Sequence, residues 1–191
     1  MSTDISIKNG ADLNLKGLAL MELGVAKKSL NYALNPDDFF GLIPRMLVKE
    51  GEKVSKGQPV FHDKNDDSIK IASPVSGKIF EIVRGAKRKI LNIIINSEGD
   101  STVNFKIPAL SNIGKDKILE LLVKSGSLAF IRQRPYNIIA RPDRLPKSIF
   151  VSTHSTAPYA ADYAFILKNR MNEFQTGVDL MSRLIGKPIN L

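Results

Sequence analysis

The sequence contains no cysteine and no tryptophan in its 191 residues, and its only histidines are His62 and His154. The lack of cysteine excludes disulfide bonds, thiolate metal sites, cysteine-ligated iron–sulfur clusters and a cysteine nucleophile. Two histidines cannot complete a zinc site without carboxylate ligands. We therefore expect no metal site, and no catalytic or cofactor-binding residue in this chain.

Long hydrophobic runs are also missing. The longest apolar stretches, 90–95 and 118–123, each contain a polar residue. Both are far shorter than the roughly 20 residues that a transmembrane helix needs. The N-terminal region contains Asp4 and has neither the basic segment nor the apolar core of a signal peptide. We therefore expect a chain with no transmembrane segment, and the cytoplasm is its default location.

Positive charge is in excess, since 28 Lys and Arg residues face 19 Asp and Glu residues and give a net charge of +9. Such an excess favours an anionic partner, either acidic lipid head groups or an acidic protein face. Nucleic acid is disfavoured because only 7% of residues are aromatic and no basic helix or aromatic-interleaved strand is present.

Two groups of basic residues are candidates for partner docking. One occupies 84–89 at a predicted hairpin, and the other lies among prolines between 132 and 144. A solvated face and a docking surface remain equal alternatives, because guanidinium groups can bind carboxylates or phosphates bidentately. The docking interpretation assigns this role to Arg84, Lys87, Arg88, Arg132 and Arg134.

The N-terminal half has the texture of a small β-protein. Residues 1–37 predict an extended arm in which Ile5 and Ile7 alternate like a short strand. Residues 38–104 contain five short β-type runs separated by Gly, Pro, Asn and Asp, which indicates a small barrel or sandwich. The predicted strands are Met46–Val48, Gln58–Phe61, Ser68–Ile71, Gly77–Val83 and Lys89–Ile95.

Residues 105–191 predict the first part of an α/β domain. An amphipathic helix at Lys115–Lys124 begins near Ser111 or Asn112 and is followed by Gly126. A buried strand at Ser148–Ser152 and helices at Tyr159–Met171 and Met171–Leu184 follow, and a second strand would start near 187–191. We therefore expect this chain to be the truncated N-terminal portion of a longer protein.

Residues 48–60 and 72–79 resemble the half-repeats of the biotinyl/lipoyl hammerhead domain. Lys64 occupies the position at which that family carries its modified lysine. The predicted loop continues through Asp66 and Asp67 to Ser68, which is longer and more acidic than the carrier pattern. We therefore favour a solvated lysine, and a carrier or adaptor module modified on Lys64 is the alternative.

The segments 84–88, 129–135, 149–153 and 157–162 resemble the A subunit of the Na+-translocating NADH:quinone reductases. The related C subunit of an Rnf-type electron transport complex is an alternative. The resemblance implies a peripheral subunit on the cytoplasmic side of the bacterial inner membrane, with integral membrane subunits among its partners. It implies a complex that uses NADH and a quinone such as ubiquinone as substrates and carries FAD, FMN, riboflavin and iron–sulfur centres in other subunits. Its second domain is expected to be Rossmann-like, and quinone proximity is left open.

The segment Ser152–Ser155 places serine and histidine close together. A hydrolase is disfavoured because no Gly-x-Ser-x-Gly elbow and no orienting acid accompany them. Ligands bind beyond the carboxyl ends of strands in α/β sheets, so Thr153 and His154 are candidate ligand-facing residues. In the 124–130 loop the single Gly126 favours a helix C-cap over a flavin phosphate loop.

Overall fold

The structure is a computed structural model that describes residues 6, 10, 13, 15–17, 19–109 and 112–191. Within these residues, nine strands and three α-helices follow one another along the chain. They are β1 (Asn31–Leu34), β2 (Pro44–Met46), β3 (Lys53–Val54), β4 (Pro59–Asp63), β5 (Asp66–Ala72), β6 (Gly77–Arg84), β7 (Ile90–Ser97), α1 (Lys115–Ser125), β8 (Arg132–Gln133), β9 (Ile138–Ile139), α2 (Tyr163–Leu167) and α3 (Met171–Ile185). The predicted strand at Ile5 and Ile7 and the helix start at Ser111 lie outside the described residues.

Two antiparallel sheets enclose the main core. One sheet has the order β1-β7-β6-β3 and the other the order β2-β4-β5. Alternate residues of the strands point between the sheets, and Phe61, Ile79, Ile93 and Ile95 are fully buried there. Each such side chain contributes about 1.5–3 kcal/mol relative to exposure. This confirms the barrel-sandwich fold predicted from the sequence.

The strand bounds agree with the predicted ones from β4 to β7 and differ earlier in the chain. β2 lies at Pro44–Met46 rather than Met46–Val48, although Val48 is buried. Residues 31–34, expected to be part of an extended arm, form β1 and pair antiparallel with β7. β1 is an edge strand whose residues are exposed or only half-buried, so its apolar alternation is weak.

The chain between α1 and residue 140 packs onto the barrel. α1 ends at Ser125, and Gly126, which has the left-handed φ of 73°, caps the helix as predicted. A short 3-10 turn and the β8–β9 hairpin follow. Ala129 and Ile139 are 2% and 4% exposed and belong to the same hydrophobic cluster as the strand residues. Residues assigned by sequence to the second domain therefore complete the first core.

A second, smaller core joins α1 to α3 through Ile113, Ile118 and Leu184. The bounds of α1 and α3 confirm the predicted helices. The predicted helix at Tyr159–Met171 is shorter, because the Asp162 side chain accepts the Phe165 N–H at 3.0 Å and starts α2 at Tyr163.

The prediction of a buried strand at Ser148–Ser152 is wrong. Phe150 forms a single parallel bridge with Asn190 and is 78% exposed. The Val151 N–H donates to the Asn190 carbonyl at 2.9 Å, and the Asn190 N–H donates to the Ile149 carbonyl at 3.1 Å. The direction of pairing is nevertheless the parallel one expected of a β-α-β unit.

Candidate docking surface

A short 3-10 turn at Pro36–Asp38, directly after β1, connects the two basic segments. The Asn35 side chain accepts the Asp37 N–H at 3.0 Å, and Pro36 occupies the first helical position, where its missing N–H costs no hydrogen bond. The turn therefore presents Asp37 and Asp38 on neighbouring positions of a fixed backbone.

The first basic segment contacts Asp37. The Lys89 Nζ lies 2.6 Å from the Asp37 Oδ2, and both side chains are more than half exposed. An exposed pair of this kind contributes about 0.2–1 kcal/mol, so it orients the hairpin more than it stabilises the fold. The remaining basic side chains of this segment are those of Arg84, Lys87 and Arg88.

The tip of the β6–β7 hairpin holds two of these cations in an uncommon backbone conformation. Lys87 and Arg88 have φ angles of 53° and 61°, in the left-handed region. The Gly85 N–H donates to the Lys89 carbonyl at 2.8 Å, and an Arg84 guanidinium N–H donates to the Arg88 carbonyl at 3.4 Å. The left-handed conformation costs about 1–2 kcal/mol per residue relative to the right-handed one.

The second basic segment contacts Asp38, the next residue of the same turn. The Arg132 Nη2 donates to the Asp38 carbonyl at 3.1 Å, and its Nη1 approaches the Asn137 carbonyl at 3.4 Å. Arg134 is exposed in the turn between β8 and β9. The two segments, which are far apart in sequence, therefore lie on one continuous surface.

Arg141 and Arg144, the other basic residues of the second group, interact with acidic side chains instead. The Arg141 Nη2 lies 3.7 Å from the Asp66 Oδ2, and the Arg144 Nε lies 3.9 Å from the Asp143 Oδ2. We leave both residues out of the docking surface because acidic side chains already lie near their charges.

Exposed aromatic side chains occur in the same segments as these cations and in the residues that follow the 3-10 turn. The Phe39 ring packs edge-on against the buried Phe61 and against Phe130, with ring centroids 6.4 and 6.3 Å apart. Phe130 is 78% exposed, and Phe40 and Tyr136 are 61% and 67% exposed. We define the docking surface as Phe40, Arg84, Lys87, Arg88, Phe130, Arg132, Arg134 and Tyr136. Its cations are those that the sequence analysis named, and their docking role stays a prediction; its aromatic residues were not named there.

The candidate ligand-facing residues Thr153 and His154 are exposed and lie outside the docking surface. The Ser152 hydroxyl donates to the His154 carbonyl at 3.0 Å. Ser155, the residue after His154, lines a cavity of about 690 Å³ together with Tyr159, Asp162, Phe165 and other residues. A ligand-facing role for Thr153 and His154 stays a prediction.

The Lys64 loop is shorter than the sequence indicated. β4 ends at Asp63 and β5 begins at Asp66, so Lys64 and Asn65 form a two-residue hairpin turn. Asp63 is 9% exposed and accepts the N–H groups of Ile43 at 3.1 Å and Asn65 at 3.3 Å. The expectation of a long acidic loop was wrong because Asp66 and Asp67 continue the strand ladder.

The described part of the chain contains neither a metal-binding cluster nor a membrane-spanning helix. Among these residues, no group of three or more His, Asp or Glu side chains is placed to hold a metal ion. In the same part of the chain, no helix is both long enough and apolar enough to cross a bilayer.

Comparison with known proteins accounts for both parts of the fold. The family model of the NqrA N-terminal barrel-sandwich hybrid domain matches residues 5–98, and that of the NqrA second alpha/beta domain matches residues 113–191. The chain belongs to the NqrA family. The two matches cover the barrel and the helical region in the order in which they occur, and they confirm the predicted barrel-sandwich domain followed by an α/β domain.

Several relatives in this family are named as the A subunit of Na(+)-translocating NADH-quinone reductase. The protein from Rhodopirellula baltica is 34% identical over 190 residues, which is 97% of this chain and 42% of the relative. The protein from Aliivibrio salmonicida is 35% identical over 188 residues, and that from Neisseria gonorrhoeae is 34% identical over 190 residues. The chain thus spans about 42% of the length of these relatives.

Proposed function

We propose that this chain is the N-terminal portion of the A subunit of a Na+-translocating NADH:quinone oxidoreductase. The observation that carries the proposal is the 34% identity with proteins of that name over nearly the whole chain. In this proposal the chain is a peripheral subunit on the cytoplasmic side of the bacterial inner membrane, and the other subunits of the complex, including integral membrane subunits, are its partners.

Its role in the complex is assembly, with a position near the quinone, and not electron transfer through cofactors of its own. A chain without cysteine has no thiolate to ligate an iron–sulfur centre. Other subunits carry the FAD, FMN, riboflavin and iron–sulfur centres, and NADH and quinone are substrates of the whole complex. The docking surface gives this role a physical basis, because fixed cations steer and orient association with an anionic partner.

The test is copurification. A tagged chain, expressed with the other reductase subunits of the same bacterium, should bring them down from detergent-solubilised membranes, and the chain by itself should oxidise NADH no faster than background. A chain that leaves all reductase subunits behind would contradict the proposal. On membranes that have not been solubilised, Arg132→Ala with Arg134→Ala should weaken retention of the chain several-fold, whereas Lys168→Ala with Arg170→Ala, two exposed cations elsewhere, should not.

A second candidate function, an acyl or biotinyl carrier, is favoured by one observation. Lys64 is exposed at the tip of a two-residue hairpin turn, which would present its amine to a modifying enzyme. Intact mass of the chain isolated from its own bacterium tests this function. A discrete increment that disappears in Lys64→Arg would support the carrier, and an unmodified mass would exclude it.

A further inference from the structure

The docking surface combines two features that a solvated charged face does not combine. Lys89 of one basic segment and Arg132 of the other contact neighbouring residues of one 3-10 turn, and these segments and the turn also carry three exposed aromatic side chains. We infer that this surface binds the surface of an anionic lipid bilayer directly. The inference rests on the membrane location proposed above and identifies what the surface contacts there.

Two of the cations of the surface are held by hydrogen bonds to backbone carbonyls, Arg84 to that of Arg88 and Arg132 to that of Asp38. The neighbouring carboxylates are already engaged, since Asp37 bonds to Lys89 at 2.6 Å and Asp38 accepts from the Asn35 Nδ2 at 3.3 Å. Basic side chains near the cytoplasmic leaflet are attracted by the negative surface potential of anionic lipids. Phosphate oxygens also accept the paired N–H donors of guanidinium groups, such as those of Arg132 and Arg134.

The aromatic residues indicate lipid more than a purely polar partner. Phe and Tyr rings are apolar bodies that favour the boundary between head groups and acyl chains, and Tyr keeps its hydroxyl in the polar layer. The Phe130 ring rests on Phe39, which in turn contacts the buried Phe61, so it projects from a packed base. Leaving this ring 78% exposed is explained if the bilayer covers it.

The shape of the surface agrees with the same partner. Its residues come from a hairpin tip (84–89), a 3-10 turn with the residues after it (36–40) and a second hairpin (130–139). These are three separate loops and not the single sheet edge or helical groove that commonly receives a peptide. A fluid bilayer adapts to protruding loops without requiring a complementary shape, so we choose lipid over an acidic protein face.

The experiment uses the complete 191-residue chain and sedimentation with vesicles. We expect binding to vesicles of phosphatidylcholine mixed with phosphatidylglycerol, weak binding to phosphatidylcholine alone, and release at high salt because screening lengths fall to about 3 Å at 1 M. Arg132→Ala with Arg134→Ala should lower the affinity by about fivefold per charge removed. Lys168→Ala with Arg170→Ala should leave it unchanged.

The absence of tryptophan allows a direct test of ring insertion. Phe130→Trp introduces a single indole, whose emission should shift to shorter wavelength on binding anionic vesicles. Phe150→Trp is the matched control, because Phe150 is also 78% exposed and belongs to the Phe150–Asn190 bridge instead of the docking surface. Its emission should not shift. Both variants keep an aromatic ring, so folding is little affected.

Three results would overturn the inference: no binding to anionic vesicles at low salt, equal binding by the charge variants, or indole emission from Phe130→Trp that stays unchanged while the protein sediments with the vesicles. If the chain ignores vesicles but the docking-surface variants lose the membrane subunits, a protein partner occupies the surface. If the chain binds vesicles yet copurifies with no reductase subunit, the proposed function fails and the lipid-binding surface stands.

Discussion

At the scale of single residues, Lys87 and Arg88 combine an unfavourable backbone conformation with a charge that we propose to act in docking. Both have left-handed φ angles, which glycine adopts at little steric cost. Replacing both with glycine should therefore raise the free energy of unfolding by about 0.5–1 kcal/mol per residue while weakening membrane association.

Urea denaturation and vesicle sedimentation of the same variant measure the two effects. Lys78→Gly is the control, because Lys78 lies in extended β6, where glycine lowers stability. A double glycine variant that is less stable than the parent would show that the tip conformation is not strained.

Close packing requires glycine at position 77, whereas Gly177 occupies an ordinary helix position that could carry a side chain. A Cβ at Gly77 would lie 1.9 Å from the Asn96 carbonyl oxygen, whereas a Cβ at Gly177 would meet no atom within 4 Å. Gly77→Ala should cost about 3 kcal/mol or more, because the backbones of β6 and β7 must move apart. Gly177→Ala, in the interior of α3, should stabilise by about 0.5–1 kcal/mol. Thermal unfolding of both variants checks the opposite signs, and equal effects would contradict this account.

What the sequence predicts at this scale depends on whether the signal is local. Gly126 was correctly predicted as a helix cap because a glycine directly after an apolar period is a local pattern. The exposure of Phe40 and Phe130 was not predicted, since it depends on which distant residues pack nearby. The Lys64 turn was missed because Asp66 and Asp67 have the composition of a loop, although they lie in a strand.

At the scale of elements, α1 contains a carboxylate with a strongly shifted pKa. The Glu120 carboxylate bonds to the Lys124 Nζ at 2.5 Å and to the Lys117 Nζ at 2.9 Å. These hydrogen bonds, that of Lys124 first, lower the pKa of Glu120 from its ordinary value of 4.5 to about 2. Because the folded pKa is depressed, the stabilisation is complete above pH 4.5 and is lost as the pH falls towards 2.

We therefore expect Lys124→Ala to raise the pKa of Glu120 towards 4.5, as followed by carboxyl carbon shifts in an NMR titration. The Lys117→Ala change should have the smaller effect, because its hydrogen bond is the lesser cause. Lys115→Ala, in the first turn of the same helix, serves as the control. An unchanged Glu120 titration in Lys124→Ala would show that the pair does not persist in solution.

The elements that sequence reasoning found are those with strong periodicity. β7 was found because a short run rich in isoleucine stands between turn residues, and α3 because its apolar positions repeat with a helical period. β1 was missed because an edge strand buries little. The Ser148–Ser152 segment was misread because three apolar residues in a row indicate a buried strand only when a layer covers them, and Phe150 is 78% exposed.

At the scale of the whole molecule, the boundary between the two cores differs from the one that the sequence indicated. The sequence does change from β-type to helical texture near residue 105, but some residues beyond that point are still buried in the first core. Gly126 approaches the Lys70 carbonyl closely enough that a Cβ would lie 2.9 Å from the oxygen, and α1 therefore packs tightly on β5. Sequence texture reports local structure, whereas a folding unit is set by which residues share a core.

The proposed division at 38–104 and 105–191 can therefore be tested by where a shortened chain stays folded. A piece that ends at Asn104 lacks Ala129 and Ile139, which are buried in the barrel core, whereas a piece that ends at Asp143 keeps both. We expect the free energy of unfolding of the shorter piece to be lower by about 2–5 kcal/mol or more, because 2–5 kcal/mol is the usual cost of removing one large core side chain.

Urea denaturation followed by circular dichroism compares the two pieces. Ile139→Ala in the complete chain should reproduce part of the loss in the barrel, and Ile118→Ala, in the second core, should leave hydrogen exchange in β6 and β7 unchanged. If the two pieces are equally stable, the barrel closes without residues 126–140, and the division inferred from sequence texture is also the division between folding units.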